Sequence, residues 1–335
     1  MLTAGRRKAA GAAGVVVIIV AAVVTLVIWP RNSPSHNHST TSARRVGTSI
    51  TATTTTVTSM PTSTSPATSI ASQAGSGSIT EDTQDFVDNT RPLVRAGVEL
   101  APYRALPTTI WRPQRDGHFP LVVFVHGYNM TPAAYGQFCS SVAEAGYVVA
   151  APSFPLEDPT RGNGLDRDDL PNEAKDVAFV ITEMTQGSEA IHVVPSKVAV
   201  VGHSDGADVA LEVGYESGLS DSRVSVTVAD APDAITSPVV TTATAPLLLI
   251  QGNADTVVPY SNSQRVFTQI PTRRYYETLL GADHLPPIVG NSQWSPVLYS
   301  DVIDFLDAEL GDSISLNALP QLLSNSRLES LQIAG

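Results

Sequence analysis

Cysteine is almost absent from this chain of 335 residues, which contains only Cys139. A single cysteine excludes a disulfide within the chain, so the fold must depend on a packed core. No group of histidines and cysteines has the spacing of metal ligands either. We therefore expect no metal and no organic cofactor, and we expect Cys139 to be a small buried apolar residue.

Acidic residues are absent from the first 80 positions, which hold six of the 20 basic residues. Residues 81–335 consequently carry 14 basic and 32 acidic side chains, a net charge of −18. Such a charge disfavours nucleic acids and anionic lipid surfaces as partners. The negative charge suits a neutral substrate, although a role in solubility alone would explain it equally well. The sequence does not indicate an oligomeric state.

Charge is also absent from Ala9 to Trp29, a run of 21 residues dominated by Val, Ile and Ala. About 20 apolar residues span a bilayer as a helix. Three basic residues precede the run at 6–8 and only Arg31 follows closely, which favours a cytoplasmic N terminus. We expect residues 1–30 to form a cytoplasmic stub and a single-pass anchor, with the remainder extracytoplasmic. A cleaved signal peptide, which would make the protein secreted, is the alternative.

Residues 31–80 have too few apolar side chains to build a core. From Ser33 to Thr80 roughly half of the residues are serine or threonine, with scattered proline and glycine. This composition predicts a disordered linker, either O-glycosylated or a passive spacer. We place one catalytic domain at 81–312 and expect 313–335 to be a C-terminal tail.

The most informative segment of this domain follows a short apolar run, Val198–Val201. The next five residues, 202–206, read Gly-His-Ser-Asp-Gly and have the Gly-x-Ser-x-Gly pattern of a nucleophile elbow. That pattern needs a strand, a sharp turn and a helix, and residues 207–213 have helical spacing. Glycine is required on both sides because a Cβ would crowd the strained turn. Ser204 is therefore the candidate nucleophile.

A serine nucleophile needs a base, and the base needs a carboxylate that orients it. His284 ends a strand-like run, and Asp255 lies in a glycine-containing turn after the apolar run 246–250. We assign His284 as the base and Asp255 as the acid. Asp230 and Asp233, which follow the preceding strand, remain alternatives for the acid.

Two main-chain N–H groups are expected to stabilise the negative oxygen that forms during such a reaction. Asp205 follows the nucleophile and should supply one of them. The other is expected from Tyr128, in the His-Gly-Tyr sequence after the run 121–125. His126 and His203 adjoin these positions, and we expect them to pack against the site or support it.

Strand-like runs alternate with helical patterns from residue 121 to residue 309. The alternation predicts an α/β fold with a mostly parallel sheet and helices on both faces. A hairpin of residues 98–100 with 106–111 should supply an antiparallel start. The interval 230–245 is too short for a helical lid, so we expect no large lid domain and an open cleft.

Residues 119–310 resemble the α/β-hydrolase superfamily. The resemblance rests on four motifs: Val-His-Gly-Tyr at 125–128, Gly-His-Ser-Asp-Gly at 202–206, Gly-Asn-Ala-Asp-Thr-Val-Val-Pro at 252–259 and Gly-Ala-Asp-His at 281–284. The charged, proline-initiated helix predicted at 171–184 is similar to the branch that contains dienelactone hydrolases, platelet-activating-factor acetylhydrolases, chlorophyllases and polyester hydrolases. The resemblance implies the α/β-hydrolase fold and a serine hydrolase.

These features predict a membrane-tethered esterase that cleaves small or lipid-like carboxylic esters through an acyl-enzyme. Trp294, ten residues after the base, could line the leaving-group side, although a packing role is the simpler interpretation. Thioesterase, amidase or peptidase activity would use the same triad. A non-catalytic envelope protein with a hydrolase fold is a third hypothesis, which the intact Ser204, Asp255 and His284 disfavour.

Overall fold

The computed structural model describes residues 77–235, 238–240, 242–311 and 313–335. Within these ranges the chain forms eleven strands and seven α-helices. The strands are β1 (Ile79–Asp88), β2 (Leu93–Arg95), β3 (Val98–Ala101), β4 (Arg104–Pro113), β5 (Phe119–Val125), β6 (Val148–Pro152), β7 (Val193–His203), β8 (Val224–Asp230), β9 (Leu247–Gly252), β10 (Arg274–Leu279) and β11 (Glu329–Ala334). The helices are α1 (Gly136–Glu144), α2 (Leu170–Gln186), α3 (Asp205–Tyr215), α4 (Tyr260–Gln269), α5 (Pro286–Val289), α6 (Ser295–Glu309) and α7 (Leu319–Leu322).

The predicted anchor at 1–30 and nearly all of the predicted linker at 31–80 lie outside the described residues. In the part of the chain that the structure describes, no helix combines the length and the apolar character needed to cross a bilayer. The anchor and the linker therefore stay predictions.

Nine strands form one sheet in the order β1-β4-β6-β5-β7-β8-β9-β10-β11. The six strands from β6 to β10 in this order run parallel. Antiparallel strands flank them, with β4 and β1 at one edge and β11 at the other. The central strands are buried on both faces, which explains continuous apolar runs such as Leu121–Val125. The predicted mostly parallel sheet is confirmed.

Helices cover both faces of the sheet. On one face, Phe138 of α1 and Phe305 of α6 belong to the same core cluster as Phe124 of β5. On the other face, Val177 of α2 packs in a second cluster with Val123 of β5. Neighbouring side chains of one strand thus enter opposite layers, as strand geometry requires.

The antiparallel start of the sheet differs from the predicted hairpin. β3 pairs with β2 in a separate two-stranded sheet, whereas β4 pairs along its whole length with β1. The sequence of β1, Ile-Thr-Glu-Asp-Thr-Gln-Asp-Phe-Val-Asp, is largely polar. It lies at the sheet edge and is only partly buried, so it has no apolar run that could have indicated a strand.

Residues 313–335 belong to the folded domain and are not a tail. Leu319 of α7 and the neighbouring Leu323 are fully buried in the core cluster that contains α6 residues. β11 pairs antiparallel with β10 and forms the last strand of the sheet. The boundary predicted at residue 312 therefore lies inside the domain, because an edge strand with exposed alternate residues lacks an apolar signal.

A buried ion-pair network fixes α2 to β4. The Nη2 atom of Arg104 lies 2.7 Å from Asp169 Oδ2 and 2.6 Å from Asp176 Oδ2. The Arg104 side chain is only 1% exposed. Burial lowers the pKa of Arg104, but its hydrogen bonds to Asp176 and Asp169 outweigh burial and raise that pKa above its ordinary value.

We expect Arg104→Gln to lower the free energy of unfolding by about 3–5 kcal/mol, because it leaves the buried Asp169 without its counter-charge and the buried Asp176 with Arg91 as its remaining partner. Urea unfolding of the full chain measures the change. Arg273→Gln is the matched control: Arg273 pairs with one carboxylate, Glu309, and the two side chains are 41% and 6% exposed, so its loss should cost clearly less than that of Arg104. Equal losses in the two variants would contradict the structural role of Arg104.

Candidate active site

Ser204 occupies the turn between β7 and α3. Its backbone has φ 58° and ψ −125°, a region that costs free energy for a residue with a side chain. The Ser204 N–H donates to the Asp230 carbonyl at 2.9 Å, and the Ser204 carbonyl accepts from the Ala207 N–H at 2.8 Å. These bonds hold the strained turn, and Ser204 lines the cleft at this edge of the sheet.

Close approach of backbone atoms explains both glycines of the motif. A Cβ on Gly202 would lie 1.9 Å from the carbonyl oxygen of Gly206. A Cβ on Gly206 would lie 2.2 Å from the carbonyl oxygen of Val125. Both obstacles are backbone atoms of the sheet and the elbow, so a side chain at either position would displace the turn that carries Ser204.

His284 and Asp255 meet beside the same cleft. His284 Nδ1 lies 2.8 Å from Asp255 Oδ2. The other oxygen, Oδ1, accepts from the N–H groups of Val257 and Val258, each at 2.8 Å. Burial raises the pKa of Asp255, but the hydrogen bond with His284 and those two N–H groups outweigh it and leave that pKa below its ordinary value.

The ionised Asp255 carboxylate can only accept a hydrogen bond, so His284 Nδ1 carries a proton and donates it. His284 Nε2 then has a free lone pair. Within the described residues, no protein group makes a hydrogen bond with this nitrogen. Because His284 and Ser204 line one cleft, the geometry suits a base that accepts a proton there.

The two alternative acids have other surroundings. Burial, reinforced by the nearby Asp255, raises the pKa of Asp230 well above its ordinary value. Asp233 Oδ1 accepts a hydrogen bond from Asn262 Nδ2. Among the described residues neither carboxylate bonds to His284, so the geometry favours Asp255 as its partner.

Tyr128 and Asp205 line the cleft together with Ser204. Over the described ranges, neither of their main-chain N–H groups donates to a protein acceptor. The residues that follow Tyr128 are fixed, since Asn129 N–H donates to the Glu157 carbonyl at 3.0 Å. Two unused N–H groups beside a candidate nucleophile are what an oxyanion hole requires.

The chain is similar to known proteins. The sequence model of the Chlorophyllase family matches residues 88–251. Over 117 residues the chain is 28% identical to chlorophyllase-1, chloroplastic, of Citrus unshiu, a match that covers 34% of each protein. The fold is similar to that of the ferulic acid esterase from Streptomyces cinnamoneus, with a TM-score of 0.65, 20% identity, and coverage of 78% of this chain and 98% of that one. The chain belongs to the α/β-hydrolase superfamily.

The likeness to the curated relative is partial, because the match spans about a third of that relative's length. The family match contains Tyr128 and Ser204 but ends before Asp255 and His284. The pairing of Asp255 with His284 is therefore an observation of the structure alone.

A chain of hydrogen bonds connects three parts of the candidate site. Gly127 N–H donates to Tyr135 Oη at 3.2 Å, and Tyr135 Oη lies 3.0 Å from His203 Nδ1. His203 Nε2 lies 3.2 Å from the His284 carbonyl oxygen. Because a carbonyl only accepts, His203 Nε2 carries the proton, and His203 Nδ1 accepts from the Tyr135 hydroxyl.

Burial lowers the pKa of His203 to about 3, which keeps the ring neutral and preserves this bonding pattern. His203 thus supports the site, as its position beside Ser204 suggested. Tyr135 was not predicted as a site residue from the sequence, because its contact with His203 joins positions 68 residues apart. The bonds fix the Gly127 loop, the elbow and the His284 loop relative to one another.

The cleft that Ser204 and His284 line has a volume of about 360 Å³. Its apolar lining comes from Tyr128, Met130, Val257, Val258, Pro259 and Leu285. Arg167 adds a cation, and its Nε lies 2.5 Å from Asp205 Oδ2. Sequence reasoning missed Arg167, because the segment between β6 and α2 has no periodic pattern. Between β8 and β9 the described residues form no helix that could act as a lid.

Trp294 is not among the residues that line the cleft. Its indole N–H donates to the Leu280 carbonyl at 3.0 Å, and its ring packs against the core just before α6. These contacts favour the packing interpretation, and a substrate contact of Trp294 stays a prediction. Its indole N–H is already used by the protein.

Proposed function

We propose that the protein is a serine hydrolase that cleaves carboxylic esters. The observation that carries the proposal is the 2.8 Å contact between His284 Nδ1 and Asp255 Oδ2, beside the cleft that Ser204 lines. Similarity to the Chlorophyllase family and to a ferulic acid esterase supports an ester as the substrate.

In the proposed first half-reaction, Ser204 Oγ attacks the acyl carbonyl while His284 Nε2 accepts the hydroxyl proton. Asp255 holds the ring in the required tautomer and stabilises the imidazolium. The N–H groups of Tyr128 and Asp205 stabilise the oxyanion. Cleavage of the ester C–O bond then leaves an acyl group on Ser204, and His284 returns its proton to the leaving alcohol.

In the second half-reaction, water attacks the acyl-enzyme and gives its proton to His284 Nε2. The second tetrahedral intermediate collapses, the acid leaves, and Ser204 regains its proton from His284. Each half-reaction moves one proton through the same nitrogen, so the residues named are sufficient for the cycle.

The cleft supports a small-molecule or lipid-like acyl group. A volume of about 360 Å³ lies within the range of small-ligand sites. The side chains of Tyr128, Val257 and Leu285 present apolar surface there. An uncharged acyl chain would cover this surface and release the water that contacts it.

Hydrolysis of p-nitrophenyl esters of increasing acyl length by the full chain tests the proposal. We expect kcat/KM to rise by up to about fourfold per methylene, as each added methylene is buried, until the cleft is filled. Amide and thioester analogues with the same acyl group are the controls. Faster turnover of either analogue, or no turnover of any ester by folded protein, would contradict the ester assignment.

We also propose that residues 1–30 tether the hydrolase to a membrane, with the domain outside the cytoplasm. The support is the uncharged run Ala9–Trp29 and the basic residues before it. Membrane fractionation followed by protease treatment of intact cells tests this arrangement. A soluble product that begins after residue 30 would indicate a cleaved signal peptide.

A further inference from the structure

Three acidic side chains lie together between the sheet and α6. They are Glu277 of β10, Asp301 of α6 and Glu329 of β11. All three are buried, and one oxygen from each lies within 4.8 Å of the others. None of them lines the catalytic cleft, so the proposed ester chemistry does not account for them.

Their surroundings are apolar. Side chains alternate along a strand, so Glu277 lies on the same face of β10 as Tyr275 and Leu279. Both of those residues belong to the core cluster that includes Val302 and Phe305 of α6. Glu277 thus lies between two core positions. Burying an ionised carboxylate there costs free energy unless a hydrogen-bond donor or an opposite charge compensates it.

Glu277 is 0% exposed, and neither of its carboxyl oxygens accepts a hydrogen bond from an amide, hydroxyl or basic donor of the described residues. The same holds for Asp301 Oδ2 and Glu329 Oε2, whereas Glu329 Oε1 accepts from the Ser326 N–H at 2.7 Å. In the described part of the chain, no lysine, arginine or histidine forms an ion pair with any of the three. The carboxyl group of Asp301 lies against those of Glu277 and Glu329, so the three acids face one another without a positive charge.

Three ionised carboxylates at this separation would repel one another strongly. A single cation between the three carboxyl groups would remove this repulsion and could contact one oxygen from each of them at once.

We propose that Glu277, Asp301 and Glu329 bind a hard divalent cation, for which calcium is the best fit. Calcium, magnesium and manganese all prefer carboxylate oxygens. Oxygens on opposite sides of a calcium ion are about 5 Å apart, which accommodates a set that lies within 4.8 Å. Backbone carbonyls and water would complete the coordination.

Such a cation would join the last strand to the rest of the domain. Glu329 is opposite Leu279 in the β10–β11 register, and Leu280 N–H donates to the Leu328 carbonyl at 2.7 Å. The chain then continues directly into the loop that carries His284. We therefore expect the cation to stabilise β11 and this loop, without taking part in the reaction.

The test is the thermal unfolding of the full chain after treatment with EDTA and dialysis, followed by titration with calcium, magnesium or manganese chloride. We expect Tm to rise by roughly 5–10 °C when free calcium exceeds its Kd about 100-fold. Equilibrium dialysis with radioactive calcium should find one tightly bound ion per chain. No rise in Tm with any of the three cations would overturn the proposal.

Glu277→Gln and Asp301→Asn preserve side-chain size and remove a ligand charge. Each should fold with a Tm no lower than that of the metal-free wild type, because each removes a buried acidic group, and each should lose the calcium-dependent rise. Glu309→Gln is the matched control, an acid of α6 that pairs with Arg273 outside the cluster, and should keep the rise. A rise that persists in both cluster variants would place calcium elsewhere and overturn the proposal.

Discussion

Ser204→Ala is expected to reduce kcat for the best p-nitrophenyl ester by roughly 10⁶-fold, the scale of loss when a triad serine is removed. Alanine retains the Cβ and should tolerate the same backbone angles as serine. In the described residues the Ser204 hydroxyl forms no hydrogen bond with another protein group, so the free energy of unfolding should change by less than about 0.5 kcal/mol. Steady-state kinetics and urea unfolding of the same preparation measure both quantities.

Ser263→Ala is the matched control for this loss. Ser263 is buried in α4, does not line the cleft, and its hydroxyl lacks a hydrogen-bond partner. We expect this variant to keep full activity and its labelling by a fluorophosphonate. Labelling should disappear in Ser204→Ala, and a label attached to any other residue would show that Ser204 is not the nucleophile.

Asp255→Asn should lower kcat by about 10⁴-fold, as in other triads. The amide would donate where the carboxylate accepts, which favours the His284 tautomer with its proton on Nε2. That tautomer cannot take a proton from Ser204. The measurement is kcat for the same ester, with thermal unfolding as a check that the variant is folded.

Asp230→Asn is the matched control for the acid. Asp230 is buried and makes no hydrogen bond with His284 among the described residues, and burial raises its pKa well above the ordinary value, so an amide of the same size should replace it with little effect. We expect its kcat to remain within a few-fold of the wild type. A small loss in Asp255→Asn together with a large loss in Asp230→Asn would move the acid to the end of β8.

The buried central strands of the sheet could be predicted from the sequence, whereas its two edge strands could not. β5 and β9 are buried on both faces, so they appear as short apolar runs between turn residues. β1 and β11 gain their pairing from a neighbouring strand and expose alternate side chains. The composition of β1 and β11 does not indicate a strand, because these segments are stabilised by pairing with β4 and β10.

Some residues of the candidate site could likewise be predicted from the sequence, and others could not. Ser204, Asp255 and His284 each follow a strand in a fixed chain order, which made them predictable. Arg167 reaches Asp205 from an irregular segment 38 residues away, and no local pattern indicates such a contact. The packing of Trp294 against the core could not be predicted, because its distance from His284 along the chain does not determine which side of the α6 N terminus its ring occupies.

The hydrogen-bond chain from Gly127 to the His284 carbonyl divides the site into a rigid frame and an adaptable rim. The frame is made of buried groups, whereas the rim side chains Tyr128, Val257 and Leu285 are 41%, 64% and 38% exposed. No hydrogen bond of the frame uses a rim side chain, so exchanging one apolar rim residue for another changes the shape offered to the acyl group and leaves the frame intact. Divergence toward new esters, in nature or in directed evolution, can therefore proceed at the rim without rebuilding the chemistry beneath it.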